Sequence, residues 1–245
     1  MRIIILIFSL LWSPFSFTQD REGLSVGVVA MSGNSIYKGV DTVFRLYPSL
    51  EYRKGPWELG LANGIKYKVV DAEKLELDMQ LSPSFGPYDS SDSSTLSGMS
   101  RDATADFSIG SKYQIASATS LSFRAGLEVT REYDGSFFNL SLNQFIFPLF
   151  GNPVFADLGI KGYDAKKSKY LYGVYDSEVI SGRAAYSPGA TTTPYLGINS
   201  FFPITDRISG FVRLNMDFLP SKVKDSPIVS ESTSALALLG ITTTF

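Results

Sequence analysis

Residues 234–245 read Ser-Ala-Leu-Ala-Leu-Leu-Gly-Ile-Thr-Thr-Thr-Phe, one amphipathic strand that ends on an aromatic residue. Ala235, Ala237, Leu239, Ile241, Thr243 and Phe245 share one face, and Ser234, Leu236, Leu238, Gly240, Thr242 and Thr244 share the other. An apolar strand with an aromatic last residue is how outer-membrane β-barrels of Gram-negative bacteria close, and that is the expectation here.

The opposite end agrees. Met1-Arg2 is a short cationic start, Ile3 to Trp12 is an apolar run, and Ser16-Phe17-Thr18 offers small residues where a signal peptidase reads. The run is shorter than the roughly 20 residues a membrane helix needs. Residues 1–18 are therefore read as a cleaved secretory signal and 19–245 as one outer-membrane β-barrel domain. No Cys follows the run, which excludes a lipoprotein anchor.

Composition narrows the class. The chain of 245 residues has no Cys, hence no disulfide framework, and no His. Its formal charge of −2 loses one further positive charge with Arg2 and gives no reason to expect nucleic acid. After the leader no apolar stretch is long enough for a membrane helix. Entry into a membrane would have to be as a closed barrel, since only helices and closed barrels satisfy the backbone in lipid.

Period-two alternation runs through the chain. Trp57, Leu59, Leu61, Ile65, Tyr67 and Val69 oppose Glu58, Gly60, Ala62, Gly64, Lys66 and Lys68. Leu121, Phe123, Ala125, Leu127 and Val129 oppose Ser122, Arg124, Gly126, Glu128 and Thr130. A soluble sandwich would turn the apolar faces inward and a membrane barrel outward; the small polar and Gly residues on the second faces suit a narrow lumen. Strands are read at 23–31, 43–53, 57–69, 74–85, 104–116, 119–131, 137–148, 154–162, 194–203, 207–218 and 234–245. This is an odd number, whereas bacterial single-chain barrels have an even one. The expectation is an all-β, transmembrane antiparallel up-and-down β-barrel of twelve strands, with ten as the alternative. The missing passage is placed in or beside Gly86 to Ala103, although that stretch is Ser-rich and Asp-rich like a loop. Tight turns at Lys54-Gly55-Pro56, Ala116-Ser117-Ala118, Phe150-Gly151-Asn152-Pro153 and Thr205-Asp206 are read as periplasmic, and the longer polar segments as external.

Enzyme chemistry finds little support. Without His or Cys there is no Ser-His-Asp triad and no thiol nucleophile. A carboxylate pair, Glu128 with Asp106 or Asp217, is arithmetically available. The stronger reading makes Asp106, Lys112, Arg124, Glu128, Arg213 and Asp217 lumen charges that pair across strands. Asp89, Asp92 and Asp102 lack the compact spacing and Gly pivot of a calcium loop, so neither metal nor cofactor is expected. Aromatic residues near strand ends, among them Trp57, Tyr67, Tyr113, Tyr133 and Phe137, read as interfacial girdles. The segment from Gly162 to Thr193 carries Lys166, Lys167, Lys169, Tyr170, Tyr172 and Tyr175. It is read first as a cap over the barrel mouth and second as a recognition loop.

Val26-Gly27-Val28-Val29, Ile36-Tyr37-Lys38-Gly39, Leu46-Tyr47-Pro48 and Tyr52-Arg53-Lys54-Gly55 resemble the opening of the MipA/OmpV family of outer-membrane proteins. Leu171-Tyr172-Gly173-Val174 and Asp225-Ser226-Pro227-Ile228-Val229 resemble its later motifs, in order along the mature chain. The end departs: Thr243-Thr244-Phe245 stands where the family has Tyr-Arg-Phe. The resemblance implies the cell outer membrane, with its lipid and lipopolysaccharide as surroundings. It also implies a non-enzymatic scaffold that brings a murein synthase and a lytic transglycosylase together in peptidoglycan remodelling. A small-solute channel and a surface adhesin acting through external loops are the alternatives.

Overall fold

The computed structural model describes residues 22–245; the leader read over 1–18 lies outside the described residues. The chain forms a closed antiparallel barrel of twelve strands. They are β1 (Gly23–Gly33), β2 (Val43–Lys54), β3 (Trp57–Gly60), β4 (Gly64–Ala72), β5 (Leu75–Ser84), β6 (Thr104–Ala116), β7 (Thr119–Glu128), β8 (Ser136–Leu149), β9 (Asn152–Tyr163), β10 (Thr191–Pro203), β11 (Ile208–Phe218) and β12 (Thr233–Thr244). Each strand pairs with its sequence neighbours, and β12 closes on β1 from Ser25↔Thr244 to Gly33↔Leu236. The β12–β1 seam removes the free edges that an open sheet would leave at its first and last strands.

The side-chain alternation sets which face is which. Leu46, Ile109, Leu127, Leu158, Leu239 and Ile241 are exposed on the outside, while Asp78, Ser108, Arg124, Ser141, Asn199 and Asp217 are buried inside. This inversion of the soluble pattern is what lipid selects. The polar-in reading of the faces therefore holds for most of the wall, while β1 and β12 also turn the buried Met31 and Leu238 inward.

The strand number agrees with twelve, and the twelfth strand is not in Gly86 to Ala103. The run read as one strand over 57–69 is instead two, β3 and β4, folded at Leu61-Ala62-Asn63 into a hairpin paired from Trp57↔Tyr67 to Gly60↔Gly64. Gly64 sits at φ +69°, and a Cβ there would overlap the Leu81 carbonyl, so the hairpin needs glycine. This extra passage puts the turn at Glu73-Lys74 on the same rim as the other tight turns. Residues 85–103 then fall on the rim of the long loops, which is the outer one because bacterial barrels keep their short turns in the periplasm.

Those loops fold into the barrel mouth. Ile36 and Tyr37 from the β1–β2 loop, Tyr88, Leu96 and Met99 from the β5–β6 loop, Tyr133 from the β7–β8 loop, Leu171 and Val174 from the β9–β10 loop, and Val223 and Ile228 from the β11–β12 loop form one buried cluster. Tyr133 and Phe137, expected in an interfacial girdle, belong to this cluster instead, because the loops supply enough apolar partners to hold them inside. Trp57 and Tyr67, by contrast, stack edge-to-face on the inner rim at 4.7 Å.

Candidate functional site: the capped lumen

The cap is built on α1 (Ala165–Tyr172), whose first turn is closed by Asp164 accepting a bond from the Lys167 amide at 2.8 Å. The helix points into the mouth, so Lys167, Tyr170, Leu171 and Tyr172 are buried. Lys167 Nζ reaches down to Asp106 Oδ2 at 2.8 Å and lies 4.3 Å from the centre of the Phe137 ring. Burial pulls the Lys167 pKa below the usual lysine range even though Asp106 opposes the shift. Tyr37 and Ser226 tie neighbouring loops to the helix by donating to the carbonyls of Leu171 (3.0 Å) and Tyr172 (2.6 Å). Burial raises the Tyr37, Tyr88, Tyr170 and Tyr172 hydroxyls above the ordinary tyrosine value, so they stay neutral, and Tyr37 and Tyr170 donate to the carbonyls of Leu171 and Asp102.

A second fastening holds the β5–β6 loop to the β9–β10 loop. Arg101 donates from Nη1 and Nη2 to the two oxygens of Glu178 at 2.5 and 3.0 Å, and from Nε to the Tyr170 carbonyl at 2.7 Å. Arg183 donates to the carbonyls of Glu178 (2.9 Å), Thr95 (2.6 Å) and Ser97 (3.0 Å). Burial disfavours the Glu178 charge, but the bonds from Arg101 and from the Tyr175 amide outweigh it and hold the carboxyl below its usual range. None of Arg101, Glu178 and Arg183 stood out in the sequence. The available signal was a lone arginine and three isolated apolar residues, Leu96, Met99 and Tyr88, inside a Ser-rich loop.

Below the cap ion pairs line the lumen wall. Asp78, Gly110 and Arg124 stand side by side on β5, β6 and β7. Arg124 Nη2 meets both Asp78 oxygens, at 2.7 and 2.8 Å, and Nη1 donates to Ser108 at 3.0 Å. A Cβ on Gly110 would overlap the guanidinium, so the glycine clears its path. Lys161 on β9 meets both oxygens of Asp217 on β11 at 2.8 and 2.9 Å, over the Tyr195 ring of β10 between them. Nearer the inner rim, Lys66 pairs with Glu58 at 2.7 Å and Lys68 with Asp71 at 3.2 Å.

The residues singled out in the sequence are distributed as follows. Asp106 takes Lys167, Arg124 takes Asp78, and Asp217 takes Lys161. Arg213 interacts with Asp157 and Tyr195, and Lys112 stands opposite Glu76 and Ser122. Glu128 is opposite Asp106 in register but turns to the β7–β8 loop, where it accepts bonds from Thr130 and from the amides of Tyr133 (3.2 Å) and Asp134 (2.9 Å). Glu128 and Asp106 are thus occupied separately, and neither pairing offered for acid–base work forms. In the segment read secondarily as a recognition loop, Lys166 is exposed and Lys169 and Tyr175 are half-buried. Lys167, Tyr170 and Tyr172 are a correction to that reading: the helix turns them into the cap, where no external partner reaches them. Asp89 and Asp92 cap their own turn, with Asp89 Oδ1 accepting from Ser91 and Asp92 Oδ2 from the Asp89 amide. Among the described residues no group of His, Cys, Asp or Glu could hold a metal ion.

A family model described as "MltA-interacting protein MipA" matches residues 26–245. The chain belongs to the MipA family. The "Putative outer membrane protein YiaT" of Escherichia coli (strain K12) is 26% identical, with 100% of this chain and 98% of that protein covered; its counterpart in E. coli O157:H7 matches to the same extent. Among solved structures, an outer membrane channel from Pseudomonas putida F1 is similar in fold, with a TM-score of 0.53 at 11% identity over 96% of this chain and 100% of that one. This MipA-family chain is an outer-membrane barrel.

Proposed function

We propose that this MipA-family barrel is a non-enzymatic membrane anchor that holds murein-processing enzymes, a lytic transglycosylase and a murein synthase, at its periplasmic rim. The observation that carries the reading is the filled interior. Leu96, Met99, Val223 and Ile228 are fully buried in the mouth, and the lumen charges below are engaged with one another. A barrel packed in this way works through its surface. The family's description, an MltA-interacting protein, supplies the partner class.

The inner rim has one feature suited to docking. Phe150, at the β8–β9 turn, is 94% exposed and held at φ +49°, an uncommon conformation for a residue with a side chain. Ile204, in the β10–β11 turn beside it, is also exposed. An aromatic anchor held out from a rigid turn is the kind of residue that dominates protein interfaces. The full chain, extracted in detergent and used as bait, should recover the transglycosylase or the synthase, and Phe150→Ser should reduce recovery at least tenfold without altering the folded mobility of the barrel. Recovery of neither enzyme would overturn the reading.

A small-solute passage is the second reading. It is favoured by a cavity of about 50 Å³ beneath the cap, lined by Met31, Tyr37, Tyr163, Lys161 and Asp217. Steps of conductance above leak from the intact chain in planar bilayers would support it.

A further inference from the structure

The barrel wall has a gap. β3 pairs with β2 only over Glu51–Lys54, and β4 begins opposite the region of Leu81 on β5. Beyond the β3–β4 hairpin, residues 43–50 of β2 therefore face β5 across a space two strands wide, about 14 Å between backbones at the usual inter-strand spacing. Its top is closed where Ser93 Oγ donates to the Lys38 carbonyl at 2.7 Å and Tyr37 packs on Tyr88 at 4.7 Å. The gap is a window with two jambs, a sill and a lintel.

The jambs are specialised. In an antiparallel strand alternate residues turn both backbone groups to the same neighbour. The Leu50 carbonyl accepts from the Leu61 amide at 3.1 Å, so Pro48, Leu46 and Phe44 direct theirs into the window. On β5 the Leu81 carbonyl faces Gly64, so Pro83 directs its ring nitrogen the same way. Each jamb thus carries a proline where an N–H would otherwise lack a partner. Phe44 and Leu46, at 67% and 63%, are the most exposed large apolar side chains on any described strand. The window opens at lipid height.

The cavity beneath the cap lies behind it. Val43, at the end of the β2 jamb, and Pro87, just beyond the β5 jamb, both line it. Across the cavity Thr193 is 3% exposed and its Oγ1 has no hydrogen-bond partner among the described residues. A buried hydroxyl without a partner is costly, and this one faces a space several times larger than a water needs. Lys161 already meets both Asp217 oxygens, so no charge is left over there for a carboxylate or phosphate.

We propose that the window admits a neutral single-chain amphiphile, of the class of a medium-chain alcohol, from the bilayer, with its hydroxyl on Thr193 Oγ1 and its chain running past Val43 into lipid. The open backbone groups of Phe44 and Leu46 ease the passage of the hydroxyl across the lipid boundary. The proposal does not depend on the partner reading.

The test uses the full chain in lipid nanodiscs, photolabelled with a diazirine-bearing octanol and mapped by mass spectrometry. Label is expected on Val43 and Leu236 as well as on lipid-facing Leu239 and Ile109. Excess octanol should remove the first pair and spare the second, and octane and octanoate should remove neither. Thr193→Val, which keeps the volume and removes the hydroxyl, should raise the octanol needed for half-competition about tenfold, the worth of one buried hydrogen bond. Label confined to the lipid face, or equal competition by octanol, octane and octanoate on the unaltered chain, would overturn the proposal without reference to any variant.

Discussion

At the scale of single residues, the cap depends on two charged contacts that respond differently to perturbation. Glu178 has a depressed pKa in the folded chain. Its contribution is therefore fully present above the unfolded carboxylate value of about 4.3 and is lost as pH falls through the lower folded value. Amide protection in residues 94–101, taken relative to the intrinsic exchange rate at each pH, should be unchanged between pH 8 and about pH 5 and should fall below about pH 4; Glu178→Gln should show the lower protection at pH 7. Lys167 is a harsher case, because both it and Asp106 are buried. Lys167→Met strands that carboxylate and should cost about 3–5 kcal/mol, read as a lower unfolding temperature on unboiled gels. Lys167→Met combined with Asp106→Leu should recover most of the loss, because a buried pair exchanged for apolar side chains of similar volume is often neutral. A double mutant as unstable as the single one would mean that the pair is not what holds the helix down.

At the scale of elements, the sequence made the wall legible and concealed the hairpin. Alternation passes through Leu61-Ala62-Asn63-Gly64 without a break, because the pairing Gly60↔Gly64 keeps odd residues on one face in both strands. Trp57, Leu59, Leu61, Ile65 and Tyr67 therefore read as one continuous lipid face although the chain has reversed direction. The turn did have a local signal, since Asn63-Gly64 is a dipeptide typical of tight hairpins and Gly64 adopts the positive φ it permits, but the unbroken alternation around it hid the reversal. The lumen charges were visible for the same reason the wall was, by parity. Their partners were not, since Lys161 with Asp217 and Lys167 with Asp106 join residues set by barrel curvature and by a loop helix, neither of which alternation encodes. Gly64→Val is the test of the hairpin. Left-handed backbone and overlap with the Leu81 carbonyl together should cost about 2–4 kcal/mol, whereas Gly98→Val, also at positive φ but with open space around its Cβ, should cost only the backbone part, about 1–2 kcal/mol. Equal effects would mean that the hairpin does not pack as described.

At the scale of the whole molecule, a closed antiparallel barrel without a disulfide should unfold as one unit on heating in detergent, since every strand is paired on both sides and ion pairs tie strands that are not adjacent. Unboiled samples should migrate faster than boiled ones, with or without reductant. What the barrel encloses then decides whether it conducts. Eight strands leave room for little beyond their own side chains, and sixteen or more leave an aqueous channel. Twelve lie between, so the interior of this chain is closed by its contents rather than by its diameter. The cap closes the outer half with an apolar cluster, and the buried pairs Arg124–Asp78 and Lys161–Asp217 take up lumen space below it. Replacing residues 166–186 by a short Gly-Ser linker removes Lys167, Tyr170, Leu171, Tyr172, Val174, Glu178 and Arg183 together, and with them the contacts of Tyr37, Arg101, Thr95 and Ser97. The β-barrel should survive, because few of those contacts join strands, and the unboiled mobility should show it. Conductance in planar bilayers should rise from leak to discrete openings, and adding Asp217→Asn should enlarge them by freeing Lys161 from its pair. A capless barrel that folds and still does not conduct would place the seal in the charged layer alone, leaving the cap as a structure for the outer surface.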